Sequence, residues 1–268
     1  MTALSPFSAK NSLGQNFLVD PNLARKLVDA LQLQPEEPVL EIGPGLGALT
    51  TLLIEQSNRV TAVEIDGRLI PFLQERFSDR LELVNTDILS FDLAALAEKH
   101  KNKVAVLGNL PYYASSPILF YLLDNQASIS RAVITLQSEV VDRCCAKVGT
   151  KDYGILTIRL ALAAPPKRLF TISPNAFRPQ PKVKSAVMSL DFGQIAPMPA
   201  ELQINLAKVV RAAFGQRRKI VRNALSAVFG ADLTDHLLQA VGISPQTRAE
   251  QILPEGYLEL ARSMINEH

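Results

Sequence analysis

Cysteine, histidine and long apolar runs are all scarce in these 268 residues, and two long stretches lack acidic residues altogether. No apolar run approaches the roughly 20 residues that a helix needs to span a bilayer, so no membrane partner is expected. Met1 to Lys10 has no apolar core of a secretory signal, and a cytoplasmic location is expected. The two cysteines, Cys144 and Cys145, are adjacent, which suits neither a disulfide framework nor a zinc spacing; they read as reduced thiols on a helix. His100, His236 and His268 are scattered, with no pattern for a metal site or a triad. Hydrolytic chemistry therefore gets little support, and no metal is expected. What is present suffices for folding: 47% of residues are hydrophobic, and the length allows one large domain plus a small one.

The formal net charge of +2 conceals a strong asymmetry. From Gly154 to Leu190 the basic residues Arg159, Lys167, Arg168, Arg178, Lys182 and Lys184 occur with no acid between them. From Leu202 to Ala231 the same holds for Lys208, Arg211, Arg217, Arg218, Lys219 and Arg222. The acids collect in the first half. A solvated helix face explains most charge runs, but two acid-free basic segments in one chain point to a phosphate-backbone footprint.

Strands and helices alternate along the first two thirds. Asp20-Pro21 starts a helix, with a capping carboxylate and then proline at the first helical position. Val39 to Ile42, Val60 to Ile65, Leu81 to Val84, Val104 to Leu107 and Ala132 to Leu136 read as strands. Leu46 to Glu55, Leu69 to Phe77, Pro117 to Leu123 and Glu139 to Lys147 read as helices between and after them. This spacing argues for a parallel sheet with helices on both faces. Arg168 to Ile172 and Ser185 to Leu190 read as an antiparallel pair around a proline-rich loop, Pro197 and Pro199 as a linker, and Ala200 onward as helical. The expected domains are therefore 1–193 and 200–268.

Four expected strand ends carry chemistry. Glu41-Ile42-Gly43-Pro44-Gly45-Leu46-Gly47 lies between a strand and a helix, where Gly43 and Gly45 let the backbone approach a ligand. Gly43, Gly45 and Ala48 also fit the dinucleotide fingerprint, so the loop alone does not separate NAD enzymes from methyltransferases. Glu64 ends the next strand, placed for two ribose hydroxyls in either class. Asp87 follows the third, where a carboxylate accepts from the adenine amine of S-adenosylmethionine. Asn109-Leu110-Pro111-Tyr112 follows the fourth and offers an amide oxygen, a carbonyl freed by the following proline, and an aromatic face. That set suits holding an exocyclic amine on a flat base while a methyl group is delivered, which a dehydrogenase does not need. Proline and asparagine also punctuate ordinary strand ends; the four ends together favour methyl transfer.

Read in order, these motifs resemble the ribosomal RNA adenine dimethyltransferases of the small-subunit type, over nearly the whole chain. Lys10-Asn11-Ser12-Leu13-Gly14-Gln15-Asn16-Phe17-Leu18 is similar to the family's N-terminal signature, in which the Asn16 and Leu18 positions border the cofactor. Phe177-Arg178-Pro179-Gln180-Pro181-Lys182-Val183-Lys184-Ser185-Ala186-Val187 resembles a later signature whose aromatic faces the target base. Phe214 to Lys219 and Arg248 to Gln251 resemble parts of its helical C-terminal domain. The resemblance implies a Rossmann-like class I methyltransferase sheet with helices on both faces, plus a small all-helical C-terminal domain. It implies S-adenosyl-L-methionine as methyl donor, held by Asn16, Leu18, Gly43, Gly45, Glu64, Asp87 and Asn109. Asn109, Leu110, Pro111, Tyr112 and Phe177 form the implied acceptor site. Arg178, Lys182, Lys184, Arg217, Arg218, Lys219 and Arg222 are the expected RNA contacts. The implied reaction is N6,N6-dimethylation of two adjacent adenosines in the hairpin loop near the 3′ end of 16S rRNA, by a monomer acting on the small ribosomal subunit. Tyr113-Ala114-Ser115-Ser116 departs from the commoner Asn-Ile-Ser-Thr and bears on the shape of the acceptor pocket. Two other readings stay open: the 23S rRNA adenine dimethyltransferases of macrolide resistance, and a non-catalytic ribosome assembly factor on the same fold.

Overall fold

The computed structural model describes residues 9–10 and 13–266. Asn11 and Ser12 of the N-terminal signature, most of the Met1 to Lys10 stretch, and His268 lie outside the described residues. The chain divides into two compact units, 1–141 with 167–193, and 142–166 with 194–268.

The first unit is built on a sheet. β1 (Phe17–Leu18) precedes α1 (Pro21–Leu31), β2 (Val39–Ile42), α2 (Thr50–Gln56), β3 (Val60–Glu64), α3 (Ile70–Phe77) and β4 (Glu82–Asn85). Then come α4 (Leu93–His100), β5 (Val104–Asn109), α5 (Ser115–Asp124), β6 (Ile129–Gln137) and α6 (Ser138–Cys144). After α7 (Ile155–Ala163) of the other unit follow β7 (Lys167–Ile172), β8 (Phe177–Arg178) and β9 (Ser185–Asp191). Seven strands pair in the order β4-β3-β2-β5-β6-β9-β7, with β2 to β6 parallel and β9 antiparallel to both its neighbours. β2 and β3 are buried along their whole length, so both faces are covered, and their polar residues Glu41, Thr61 and Glu64 are buried with the apolar ones. Strand order reverses between β2 and β5, so the crevice outside their carboxyl ends is where such a sheet takes its ligand.

α1 shows how the sequence fixes a layer. Asp20 accepts from the Asn22 and Leu23 amides at 3.0 and 3.1 Å, and Pro21 is preset for the first turn. Ala24, Leu27, Val28 and Leu31 then recur on one buried face. Each of the larger three gains roughly 1.5–3 kcal/mol by leaving water. The helix stops at Gln32 in the left-handed region. There Arg131 of β6 donates to the Leu31 and Gln32 carbonyls and pairs with Glu37, closing the helix end onto the sheet.

The second unit holds α7, α8 (Ala200–Gly215), α9 (Val221–Phe229), α10 (Ala231–Ala240) and α11 (Pro254–Asn266). Its core joins Ile158 and Leu162 of α7 to Leu206, Val210, Leu225, Tyr257 and Leu260. The Tyr153 and Tyr257 hydroxyls donate to the Ile252 and Ala249 carbonyls, both at 2.8 Å. The helical unit thus includes 142–166 besides 194–268, whereas the expected boundary places 142–166 in 1–193. α7 is apolar on almost every side, and it finds its buried neighbours on α8 and α11.

Candidate active site

The carboxyl ends of β2 to β5 surround one cavity of about 230 Å³. Its lining takes residues 13–18 from the N-terminal segment, the loop after β2, Glu64 and Ile65, residues 86–89, and residues 109–114 after β5.

Glu64 ends β3 and is 4% exposed. Its two carboxylate oxygens accept from the Gly45 amide at 3.2 Å and the Asp66 amide at 2.8 Å. A carboxylate has about four lone-pair positions, so capacity remains for two hydroxyls. Burial raises its pKa, against the lowering effect of these amides. Gly45 holds φ +57, and a Cβ there would stand 3.0 Å from the Phe17 ring, so the loop and the N-terminal segment close up only because this residue is glycine. Asp87 accepts from the Leu89 amide at 3.0 Å through Oδ1, which fixes the carboxylate at the rim beside Ile88 and Leu89.

Asn109 lies at the end of β5, and its Nδ2 donates to the Asn16 carbonyl at 3.1 Å. That bond orients the amide and leaves Oδ1 as its acceptor. The Leu110 amide donates to Thr135 of β6 at 3.1 Å, while the Leu110 side chain is buried. Pro111 supplies no N–H to the neighbouring strand, and the chain turns into a 3-10 turn, Tyr112–Ala114. The Tyr112 hydroxyl shares a 2.8 Å hydrogen bond with Ser185 Oγ, and burial raises its pKa.

The structure therefore brings Asn16, Leu18, Gly43, Glu64, Asp87, Asn109, Leu110, Pro111 and Tyr112 to one cavity, with Gly45 bonded to Glu64 beside it. Phe177 does not join them. It is 1% exposed, pairs with Leu18 across the short β1–β8 ladder, and sits in the core of the first unit. The expected base-facing ring is thus a buried packing residue, because that ladder turns it inward. Three expected RNA contacts already make bonds within the protein: Arg178 donates to the Asn175 and Phe177 carbonyls at 3.2 and 2.8 Å while staying exposed. Arg217 donates to the carbonyls of Thr150, Lys151 and Tyr153, and Arg222 forms a bidentate pair with Asp235 at 2.6 Å. Arg178, Lys182, Lys184, Arg218 and Lys219 are exposed.

Three features were not legible as site chemistry. Glu41 is buried on the cavity wall, takes Thr50 Oγ1 at 2.7 Å on Oε2, and leaves Oε1 buried with no partner among the described residues. Burial first, and then Glu64 nearby, push its carboxyl up to about 7 against the Thr50 bond. Asp66 latches the N-terminal segment to β3. It takes Gln15 Nε2 at 2.9 Å and a bidentate Arg68, whose guanidinium holds its carboxyl well below the usual range. Ser185 anchors Tyr112 from β9, 73 residues away. No group of three or more His, Cys, Asp or Glu that could hold a metal occurs among the described residues. Cys144 and Cys145 form no disulfide; the Cys145 thiol donates to the Pro166 carbonyl at 3.8 Å, and burial pushes Cys144 up to about 12.

A doubly wound sheet with a glycine loop after its first parallel strand and carboxylates at the next two strand ends defines a class I methyltransferase fold. The chain belongs to the ribosomal RNA adenine dimethylase family, whose model matches residues 6–266. It is 44% identical over 263 residues to a ribosomal RNA small subunit methyltransferase A of Salinibacter ruber, covering 97% of this chain and 86% of that one. A protein of the same name from Geobacillus kaustophilus is 41% identical over 256 residues, covering 92% and 87%. Among solved structures, a dimethyladenosine transferase from Plasmodium falciparum shares the fold with a TM-score of 0.80 at 22% identity, covering 94% and 98%. The 23S rRNA methyltransferase ErmE superposes with a TM-score of 0.67 at 26% identity, covering 92% and 98%.

Proposed function

We propose that this chain dimethylates the N6 amines of two adjacent adenosines in the loop near the 3′ end of 16S rRNA, on the small ribosomal subunit, with S-adenosyl-L-methionine as donor. The observation that carries the reading is the Asn109–Tyr112 turn. It sets an oriented amide oxygen, a carbonyl and an aromatic ring in the same cavity as Glu64 and Asp87. Small-subunit relatives at 44% and 41% identity outweigh the 26% likeness to the 23S enzyme.

The cavity's chemistry suits the donor. Glu64 would take the ribose hydroxyls, Asp87 the adenine amine, and Leu18, Ile88 and the Gly43 loop the flat base and chain. S-adenosylmethionine supplies a methyl group already activated on a sulfonium, so no protein nucleophile is required. Asn109 Oδ1 and the Leu110 carbonyl accept the two N–H bonds of the adenine amine, which draws the nitrogen lone pair out of the ring. The anchored Tyr112 ring stacks on the base, as in other enzymes that act on extruded bases. Positioning and preset dipoles then lower the barrier. A monomethylated amine keeps one N–H for rebinding and a dimethylated one has none, which ends the reaction at two. Exposed Arg178, Lys182, Lys184, Arg218 and Lys219 supply phosphate contacts. Tritium transfer from S-adenosylmethionine to unmethylated small subunits, compared with large subunits and naked RNA, tests the reading. Label appearing only in large subunits would assign the chain to the other branch, and label in neither would make it an assembly factor.

A further inference from the structure

Among the described residues, Tyr113 is the one aromatic among the exposed large hydrophobic side chains, at 59%. It stands on the lining of the cavity that holds Asn109 and Tyr112. The two neighbouring tyrosines are placed in opposite ways. Tyr112 is half-buried and tethered through its hydroxyl to Ser185, whereas Tyr113 projects from the same 3-10 turn into solvent. The turn itself is held firmly. The Ala114 amide donates to the Pro111 carbonyl at 3.1 Å, and Ser115 Oγ donates to the Tyr112 carbonyl at 3.1 Å. The ring also has a backstop. Gly14 holds φ +56, and a Cβ built there would stand 3.3 Å from Tyr113 Cδ1, so one side of the ring borders the N-terminal backbone while the residue stays largely open to solvent.

An exposed ring costs free energy in water unless something covers it, and a firmly mounted, half-open ring is the form that nucleobase-stacking platforms take. We propose that Tyr113 is a second base subsite: it stacks on the unpaired purine that flanks the adenine being methylated. The inference rests on the reading above, in which the target is one of two adjacent adenosines. An adenine drawn into the cavity leaves its neighbour without a stacking partner, and Tyr113 supplies one at the rim. With Phe177 in the core, the aromatics lining the cavity are Phe17, Tyr112 and Tyr113, and of these Tyr113 is the exposed one. The subsite would position RNA and take no part in the methyl transfer itself.

The test uses the full chain, unmethylated small subunits, and the variants Tyr113→Ala, Tyr113→Phe and Tyr113→Leu. Stacking predicts that Tyr113→Ala raises KM for subunits by about 5- to 150-fold, the range that base–aromatic stacking spans on alanine substitution. Tyr113→Phe should restore it and Tyr113→Leu should not. The ratio of methylation at the two adenosines should shift in Tyr113→Ala, because the flanking base loses its seat. Calorimetric affinity for S-adenosylhomocysteine should stay within about twofold of wild type, since a lost surface ring removes no cofactor bond. Unchanged KM, rescue by leucine as good as by phenylalanine, or a parallel fall in cofactor affinity would each overturn the subsite and leave Tyr113 as packing for Gly14. Wild-type protein that labels no small subunits would remove the functional reading and this inference together, whereas normal wild-type transfer with an indifferent Tyr113→Ala removes only the subsite.

Discussion

Glu41 carries the largest pH-dependent cost on the cavity wall, and replacing it by glutamine should expose that cost. The side chain is 1% exposed, one oxygen takes Thr50, and the other has no partner among the described residues. Its pKa rises from the ordinary 4.5 to about 7. Each unit corresponds to about 1.4 kcal/mol, so ionising this group in the folded protein costs about 3 kcal/mol more than in the unfolded chain. The folded state binds the proton more tightly than the unfolded state does. The group's contribution to stability is therefore complete below pH 4.5, declines as pH rises, and is lost above about 7. Glu64 shifts the same way, while Asp66 shifts oppositely and loses its contribution only as pH falls below its ordinary 3.8. The difference between wild type and Glu41→Gln reports Glu41 together with its coupling to Glu64. Urea denaturation of the cofactor-free proteins, from about pH 5 to about pH 8, should show the variant gaining about 2–3 kcal/mol on wild type across that range. A difference that stays flat with pH would refute the burial argument and mean that Glu41 is solvated or paired in solution.

Asn109→Ala should cost about 2–4 kcal/mol in transition-state stabilisation, by analogy with a lost oxyanion-hole donor, with a much smaller change in cofactor affinity; near-normal dimethylation in a single-turnover assay would contradict the assigned geometry. Glu64→Ala should weaken S-adenosylhomocysteine by at least about tenfold in calorimetry, since charge-assisted bonds contribute roughly 1.5–3 kcal/mol each. Tight NAD binding that ignores the substitution would revive a dehydrogenase reading. Reversing Arg218 and Lys219 to Glu should abolish subunit binding and leave cofactor binding intact, and the wild-type affinity should fall by nearly one log unit per log unit of salt for each phosphate neutralised on a duplex. Arg222→Ala should leave the salt slope unchanged, because that guanidinium already belongs to Asp235.

The strand ends were readable because each element announces itself locally. Short apolar-rich strands are local signals, and Gly43, Glu64, Asp87 and Asn109 each lie at or within two residues of the end of one. The pairings that changed the reading are distant in sequence. Phe177 is turned inward by a two-residue ladder with β1, far too short to leave a periodic signal. The Arg217 carbonyl contacts reach back more than 60 residues to the loop before α7. α7 itself, Ile155-Leu156-Thr157-Ile158-Arg159-Leu160-Ala161-Leu162-Ala163, is too uniformly apolar to declare a face, so its membership of the helical unit came only with its neighbours.

The two units interleave along the chain, and this dictates an order of completion during synthesis. β6 is a nine-residue strand between β5 and β9, and its antiparallel partner β9 begins 48 residues after β6 ends. The intervening stretch includes α7, whose own neighbours α8 and α11 are made later still. A nascent chain that has just finished β6 thus carries an uncapped strand edge and then an apolar helix with no core to enter, the two exposures that most invite aggregation. Neither unit closes on sequential material alone, so truncation after residue 166 leaves both unfinished, and any excision of one unit must cut the chain in more than one place.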